Sequence, residues 1–344
     1  MSGLAAGIAS DEEIARFFSA EAEIEAMLLF ERELAGAQAE LGIIPAEAAL
    51  SIARATKAFA PDIDALASGM LRDGVPVPAL VKALRAGLGE PHAAHLHKGA
   101  TSQDAVDTGL MLRLKDVLQV LALRCDRVLA VLAVTARDDG AKPLMAQTRM
   151  QAALPFTVAA KTATWTRPLA DHRARLLNLN DQLQIQLGGP VGDGASFGAD
   201  YLRLREMLAA RLKLMDAEPW HSDRTLILNL AQGLALLTGT LGKIGQDVAL
   251  LAQSERRAVR IAGAGGSSAM AHKQNPVAAE LLVALARLNA GLLGTLAQSL
   301  VHENERSGAA WTLEWLILPQ MAEAAGAALR HAEGLIANLE FTGR

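Results

Sequence analysis

The run Leu226-Ile227-Leu228-Asn229-Leu230-Ala231 and its counterpart Leu281-Leu282-Val283-Ala284-Leu285-Ala286 decide the class of fold. Neither alternates apolar with polar residues as a half-buried strand does, and each sits inside a longer helical pattern, over 225–260 and 276–303. A helix that is apolar on most faces is buried on most faces. One small chain seldom supplies that much cover. The runs therefore belong to the middle of a large bundle, or to a bundle that completes its core with further copies of itself; the second is the expectation.

Working outward, similar patterns cover 11–41, 104–137, 155–187 and 311–338. In the first, Ile14, Phe17, Phe18, Ile24, Met27, Leu28 and Leu34 recur at helical steps, after an N-cap at Ser10 and an acidic first turn of Asp11, Glu12 and Glu13. Gly42 and Pro45 mark its exit. Several of these helices reach about 40 Å at 1.5 Å per residue. An aromatic content of only 3% beside many Ala and Leu agrees with helices rather than sheet. The fold class expected is all-α, with a small N-terminal helical domain over 1–100 and a long-helix bundle over 101–344. Gly- and Pro-rich polar segments at 72–78, 87–103, 140–151, 188–198 and 263–276 connect the helices.

The 344 residues are 51% hydrophobic and 20% charged, with a net charge of −4 and no strong basic run. That balance argues against a nucleic-acid partner or an anionic membrane surface. The apolar runs are interrupted before about 18–20 residues, so no membrane span is expected. The single cysteine, Cys125, cannot form an internal disulfide, and no cationic, apolar leader opens the chain. A cytoplasmic location follows as the expectation.

Four segments carry polar groups dense enough for chemistry. In His97-Lys98-Gly99-Ala100-Thr101-Ser102-Gln103-Asp104, Thr101 and Ser102 fall where a helix cap belongs. The same hydroxyls, with Gln103 and free helix N–H groups, also suit a carboxylate. His92, His95 and His97 lack an acidic or thiol partner at metal-ligand spacing, so no metal is expected. Gln147-Thr148-Arg149-Met150-Gln151 reads equally as an ordinary loop. The stretch 263–276 gathers Ser267, Ser268, His272, Lys273 and Asn275 among glycines. It lacks the residue order of a phosphate loop, and 256–261 continues the helical pattern where a dinucleotide fold needs a strand. A lid that brings a proton-transfer group to a substrate remains. In His302-Glu303-Asn304-Glu305-Arg306-Ser307, Arg306 is suited to a bidentate hold on an anion, while Trp311 and Trp315 share a helix face.

Together these segments resemble the fumarase/aspartase superfamily of cofactor-free lyases and cycloisomerases. Gly266-Ser267-Ser268-Ala269-Met270-Ala271-His272-Lys273-Gln274-Asn275-Pro276 is similar to its GSSxMPxKxNP signature, with Ala271 in place of the usual Pro. Gly99–Asp104 is similar to its first motif and Gln147–Gln151 to its second. The opening Phe30-Glu31, continuing through Ala37-Gln38-Ala39-Glu40-Leu41-Gly42-Ile43-Ile44-Pro45, resembles the branch that holds adenylosuccinate lyase and the carboxymuconate cycloisomerases. The resemblance implies a homotetramer whose active sites are each shared among three subunits, and a chain that stops before a further small C-terminal domain.

The resemblance also implies roles. Lyases of this group carry a proton-donating His in the second motif, where this sequence has Arg149. An arginine does not exchange protons near neutral pH, which would cost such a lyase about 10²–10⁴ in rate. A cycloisomerase, whose nucleophile is a carboxylate of its own substrate, has no such need. The implied reaction is closure of a small tricarboxylate, 3-carboxy-cis,cis-muconate, to its lactone, with a fumarate-releasing lyase as the alternative. Ser267 would protonate carbon, aided by Lys273 and Asn275. Thr101, Ser102, Gln103, Arg149, Gln151, Ser268, His272 and Arg306 would bind substrate. No cofactor is implied.

Overall fold

The computed structural model describes residues 6–263, 265–266, 270 and 273–343. Helices α1 (Ala6–Ala9), α2 (Glu12–Ala15), α3 (Ala20–Glu40), α4 (Ala46–Ala58), α5 (Ile63–Asp73) and α6 (Val77–Leu88) come first. A 38-residue helix, α7 (Ser102–Asp139), then runs to a ribbon of β1 (Pro143–Thr148) and β2 (Gln151–Thr157). Helices α8 (Val158–Asp181), α9 (Tyr201–Leu212) and α10 (Thr225–Leu251) follow. Strand β3 (Val259–Ile261), helices α11 (Val277–Leu296) and α12 (Gly308–Ala337), and strand β4 (Leu339–Phe341) complete the described chain. The fold is all-α apart from the two ribbons.

Helices α7, α8, α10, α11 and α12 form the bundle, and a few hydrogen bonds fix their directions. Val158 N–H donates to Lys142 O at 3.1 Å and Asn180 Nδ2 to Lys115 O at 2.7 Å, so α8 runs back along α7. Arg224, just before α10, meets Asp107 near the start of α7. Lys142 Nζ, just past the end of α7, donates to Phe341 O beyond α12 at 2.7 Å. Helices α7, α10 and α12 therefore start at one end of the bundle, and both ribbons lie at the other.

Small residues let α10 and α11 meet almost backbone to backbone. A Cβ on Gly242 would fall 2.5 Å from Ala286 Cβ, and one on Gly245 would fall 2.4 Å from Ala279 O. Both α10 and the stretch 277–300 are long and apolar enough to cross a membrane by length and composition, which the interrupted runs of the sequence did not suggest. In α10 half of the most apolar window is buried inside the chain; in 277–300 only 22% is. Helix α11 thus carries an apolar face that the described residues do not cover.

Three local expectations change. The helix expected over 11–41 breaks at Ser19, whose hydroxyl accepts from Ala22 N–H at 3.2 Å and caps α3. Pro155 lies in β2 rather than opening a helix; Thr157 caps α8, accepting from Ala160 N–H at 3.2 Å. Helix α10 stops at Leu251, and 259–261 pairs antiparallel with β4. β-Branched Val259 and Ile261 suit that pairing, a long-range contact that helical periodicity does not report. The three-residue antiparallel strand does not open the parallel crossover unit a dinucleotide fold requires.

The α10–α11 contact yields a stability test. Gly245→Val forces a side chain against a backbone carbonyl and is expected to cost about 1–3 kcal/mol. Gly87→Ala, where a Cβ meets nothing within 4 Å, is expected to leave the thermal midpoint unchanged or slightly higher. Paired thermal melts check both.

Candidate active site

The first motif sits at the start of α7. Thr101 is the cap residue, and its N–H donates to Asp104 Oδ2 at 2.9 Å. The fully buried Asp104 carboxylate also accepts Gly188 N–H at 2.8 Å and Gly189 N–H at 3.0 Å. It joins two glycine-rich segments that are far apart in sequence. Gly189 has φ +71, and a Cβ there would fall 2.2 Å from Ser196 Oγ, so the join requires glycine.

Helix α3 holds the other side of this motif. Gln38 Nε2 donates to Lys98 O at 2.8 Å, and buried Glu31 meets His97 Nδ1 at 2.5 Å. Burial alone would push the His97 pKa down, but the Glu31 carboxylate, helped by Asp104, outweighs it and raises the value above the ordinary 6.5. Thr101 and Ser102 are half-buried and line an open cavity of about 470 Å³ with Lys82, Arg85 and His97.

Gln103 and Arg306 meet at the same end. Arg306 Nε donates to Gln103 Oε1 at 2.8 Å and Nη2 to Pro190 O at 3.2 Å. Gln103 is fully buried, and its Nε2 donates to His221 O at 2.9 Å and Asp107 Oδ2 at 3.1 Å. Its amide is thus engaged inside the protein, and Arg306 is the group it presents.

The second motif and the described residues of the third lie at the opposite end. Arg149 and Met150 form the turn between β1 and β2, at φ 50 and 65. Positive φ at both turn residues matches the right-handed twist of a tight hairpin, at a cost for non-glycine residues. Arg149 and Gln151 are exposed. Arg149 lines a cavity of about 500 Å³ with Lys161, Lys243, Asp247 and Arg256. Two lysines, Lys161 and Lys243, converge on Asp247, which also accepts from Trp165 Nε1 at 2.7 Å.

Lys273 and Asn275 line a larger cavity of about 920 Å³ with Arg257, Arg260 and Gln274. Asn275 N–H donates to Gly265 O at 2.7 Å and Gly265 N–H to Asn275 O at 3.0 Å, which closes the base of the loop. Asn275 Nδ2 adds a bond to Gly266 O at 3.3 Å. Ser267, Ser268 and His272 lie outside the described residues.

The chain therefore sorts its candidates into two groups. Thr101, Ser102, Gln103 and Arg306 share one end; Arg149, Gln151, Lys273 and Asn275 share the other. Between them stands α7, 38 residues or about 55 Å long, far more than a small tricarboxylate spans. Among the described residues no three His, Cys, Asp or Glu side chains converge as metal ligands. The sequence reading missed the Asp104 clamp and a buried group of Asp107, Arg224 and Glu314 beneath Gln103. Asp104 and Asp107, one turn apart among the apolar residues Ala105, Val106, Leu110 and Met111, were the available signal.

Residues 6–288 match the family model described as Lyase, and the chain belongs to that family. It is 39% identical to the 3-carboxy-cis,cis-muconate cycloisomerase of Pseudomonas aeruginosa, over 94% of this chain and 72% of that protein. It is 35% identical to the nitrosuccinate lyase of Streptomyces davaonensis, over 99% of this chain and 78% of that protein. The crystal structure of 3-carboxy-cis,cis-muconate lactonizing enzyme from Pseudomonas putida matches with a TM-score of 0.91 at 35% identity, covering 99% of this chain and 78% of that one.

The His97–Glu31 pair predicts a titration. Because the folded pKa is raised, the stability it contributes is fully present below the unfolded value of 6.5 and is lost as pH rises through the folded value. NMR titration of His97 is expected to give a midpoint above 6.5 in the native protein. In Glu31→Gln, with burial left to dominate, the midpoint is expected to fall below it.

Proposed function

We propose that this chain is a cycloisomerase that converts 3-carboxy-cis,cis-muconate to 4-carboxymuconolactone. The observation that carries the reading is the 39% identity to a 3-carboxy-cis,cis-muconate cycloisomerase along 94% of the chain. Arg149 agrees with it from chemistry alone. A permanent cation at the hairpin tip can hold a carboxylate but cannot protonate a departing amine.

The step is balanced without a cofactor. One substrate carboxylate oxygen forms a C–O bond to the conjugated diene, and the electron pair moves toward the carbon beside another carboxylate. Ser267 Oγ delivers a proton to that carbon. Lys273, Asn275 and loop N–H groups stabilise the developing negative charge and the serine oxygen left behind. Arg149, Gln151, Thr101, Ser102 and Arg306 hold carboxylates, with Gln103 behind Arg306. Ser268 and His272 complete the loop's contacts with substrate.

The working unit is a homotetramer in which three subunits contribute to each site. The separation of the motifs along α7 and the uncovered apolar face of α11 support it. Residues 1–100 form the N-terminal domain and 101–344 the bundle domain, and the protein works in the cytoplasm.

An absorbance assay tests the reaction. Loss of the conjugated diene of 3-carboxymuconate is expected, with no fumarate released from adenylosuccinate or argininosuccinate; the reverse pattern would overturn the reading. Ser267→Ala, folded and assembled as the native protein, is expected to lose at least about 10²-fold in turnover.

A further inference from the structure

Beneath Arg306 lies a charged network that the reaction does not call for. The Arg224 side chain has no solvent exposure and grips two equally buried carboxylates. Its Nη1 and Nη2 donate to Asp107 at 2.7 and 3.1 Å, and its Nε and Nη2 donate to Glu314 at 2.9 and 2.6 Å. Trp311 Nε1 donates to Asp107 Oδ1 at 2.9 Å, and the Arg224 guanidinium stacks 4.6 Å over the Trp220 ring. Burial of ions at this depth is costly unless every partner is in place. Such a group contributes little net stability, so its presence calls for another explanation.

Its geometry supplies one. Asp107, in an ion pair with Arg224, presents carboxylate oxygens that accept hydrogen bonds. Each of its oxygens already takes one bond from Arg224; Oδ1 takes a second from Trp311 and Oδ2 a second from Gln103 Nε2. Only the NH₂ side of the Gln103 amide can therefore face Asp107, and the carbonyl side must face outward. That carbonyl receives Arg306 Nε. A reversed amide would set Oε1 against a carboxylate and NH₂ against a guanidinium, unfavourable at both contacts. Arg306 Nη1 has no partner among the described residues and remains for a ligand.

We propose that Asp107, Arg224 and Glu314 are positioning residues that fix the Gln103 amide, and that Gln103 in turn aims Arg306 at a substrate carboxylate. The proposal rests on the reading of Arg306 as a substrate-binding group. It changes the part expected of Gln103 from direct contact with substrate to support of the residue that makes it.

Steady-state kinetics of Gln103→Met, Arg306→Met and the double variant test it. Gln103→Met keeps chain length and leaves the Arg224 ion pairs untouched, so it reads the aiming of Arg306 with the core preserved. The expected result is a rise in KM of about 10-fold or more with kcat within about 3-fold, the pattern of lost uniform binding. In the Arg306→Met background the same substitution is expected to add less than about 2-fold, because coupled residues are not additive. Asp107→Asn, which replaces one of the two acceptors that hold the Gln103 NH₂ group and leaves His221 O as the other, should raise KM in the same direction and show the same non-additivity. If both single variants raise KM but their effects multiply in the double variant, the positioning role is wrong and the binding role of Arg306 stands. An unchanged KM in Arg306→Met would overturn both.

Discussion

The length of α7 is the constraint on which the rest of this structure depends. A hydrogen-bonded helix of 38 residues holds its two ends about 55 Å apart and does not fold back on itself. Every other placement follows from that strut. Helix α8 returns along it, α10 and α12 start beside its N-terminus, and both ribbons close its far end. The first motif and Arg306 are fixed at one end, the second motif and the described residues of the third at the other. A site that uses all of them on one small anion must draw its ends from different copies of the chain.

Cationic side chains gather in the cavities at each end, although the whole chain carries a net charge of −4. Lys82, Arg85 and His97 line the cavity beside Thr101 and Ser102, while Arg149, Lys161, Lys243 and Arg256 line the one under the hairpin. Arg257 and Arg260 join Lys273 in the third. Fields focused in this way matter more to a multiply charged ligand than overall charge. The acidic residues near the first motif serve as fasteners. Asp104 joins the helix start to Gly188 and Gly189, and Asp107 answers Arg224. These carboxylates are buried and hydrogen-bonded within the protein, so they serve its packing.

Much of this was legible in the sequence because it rests on periodicity and on compact motifs. The apolar runs at 226–231 and 281–286 gave the bundle, and the residues around 99–104, 147–151 and 266–276 gave the resemblance that similarity to cycloisomerases then matched. What stayed hidden depends on contacts between distant residues. The β3–β4 ribbon forms because 259–261 meets 339–341. No local pattern marks Arg224, and only folding places it between Asp107 and Glu314. Gln103 read as a ligand for substrate because its side-chain type suits one; its amide orientation is set by a carboxylate one turn along and an arginine about two hundred residues away.

Mixing two impaired proteins, assayed at substrate well below the native KM, tests most directly whether the site is shared. Ser267→Ala alters the third motif, whose described residues Lys273 and Asn275 lie at the ribbon end of the bundle, and Arg306→Met carries its defect at the other. When the two are unfolded together in equal amounts and refolded as mixed assemblies, sites that draw the two ends from different copies regain both native groups in about a quarter of cases. Activity approaching that fraction of the native level is the result this account predicts. Activity no greater than the sum of the two variants refolded separately, in assemblies shown to contain both chains, would contradict it.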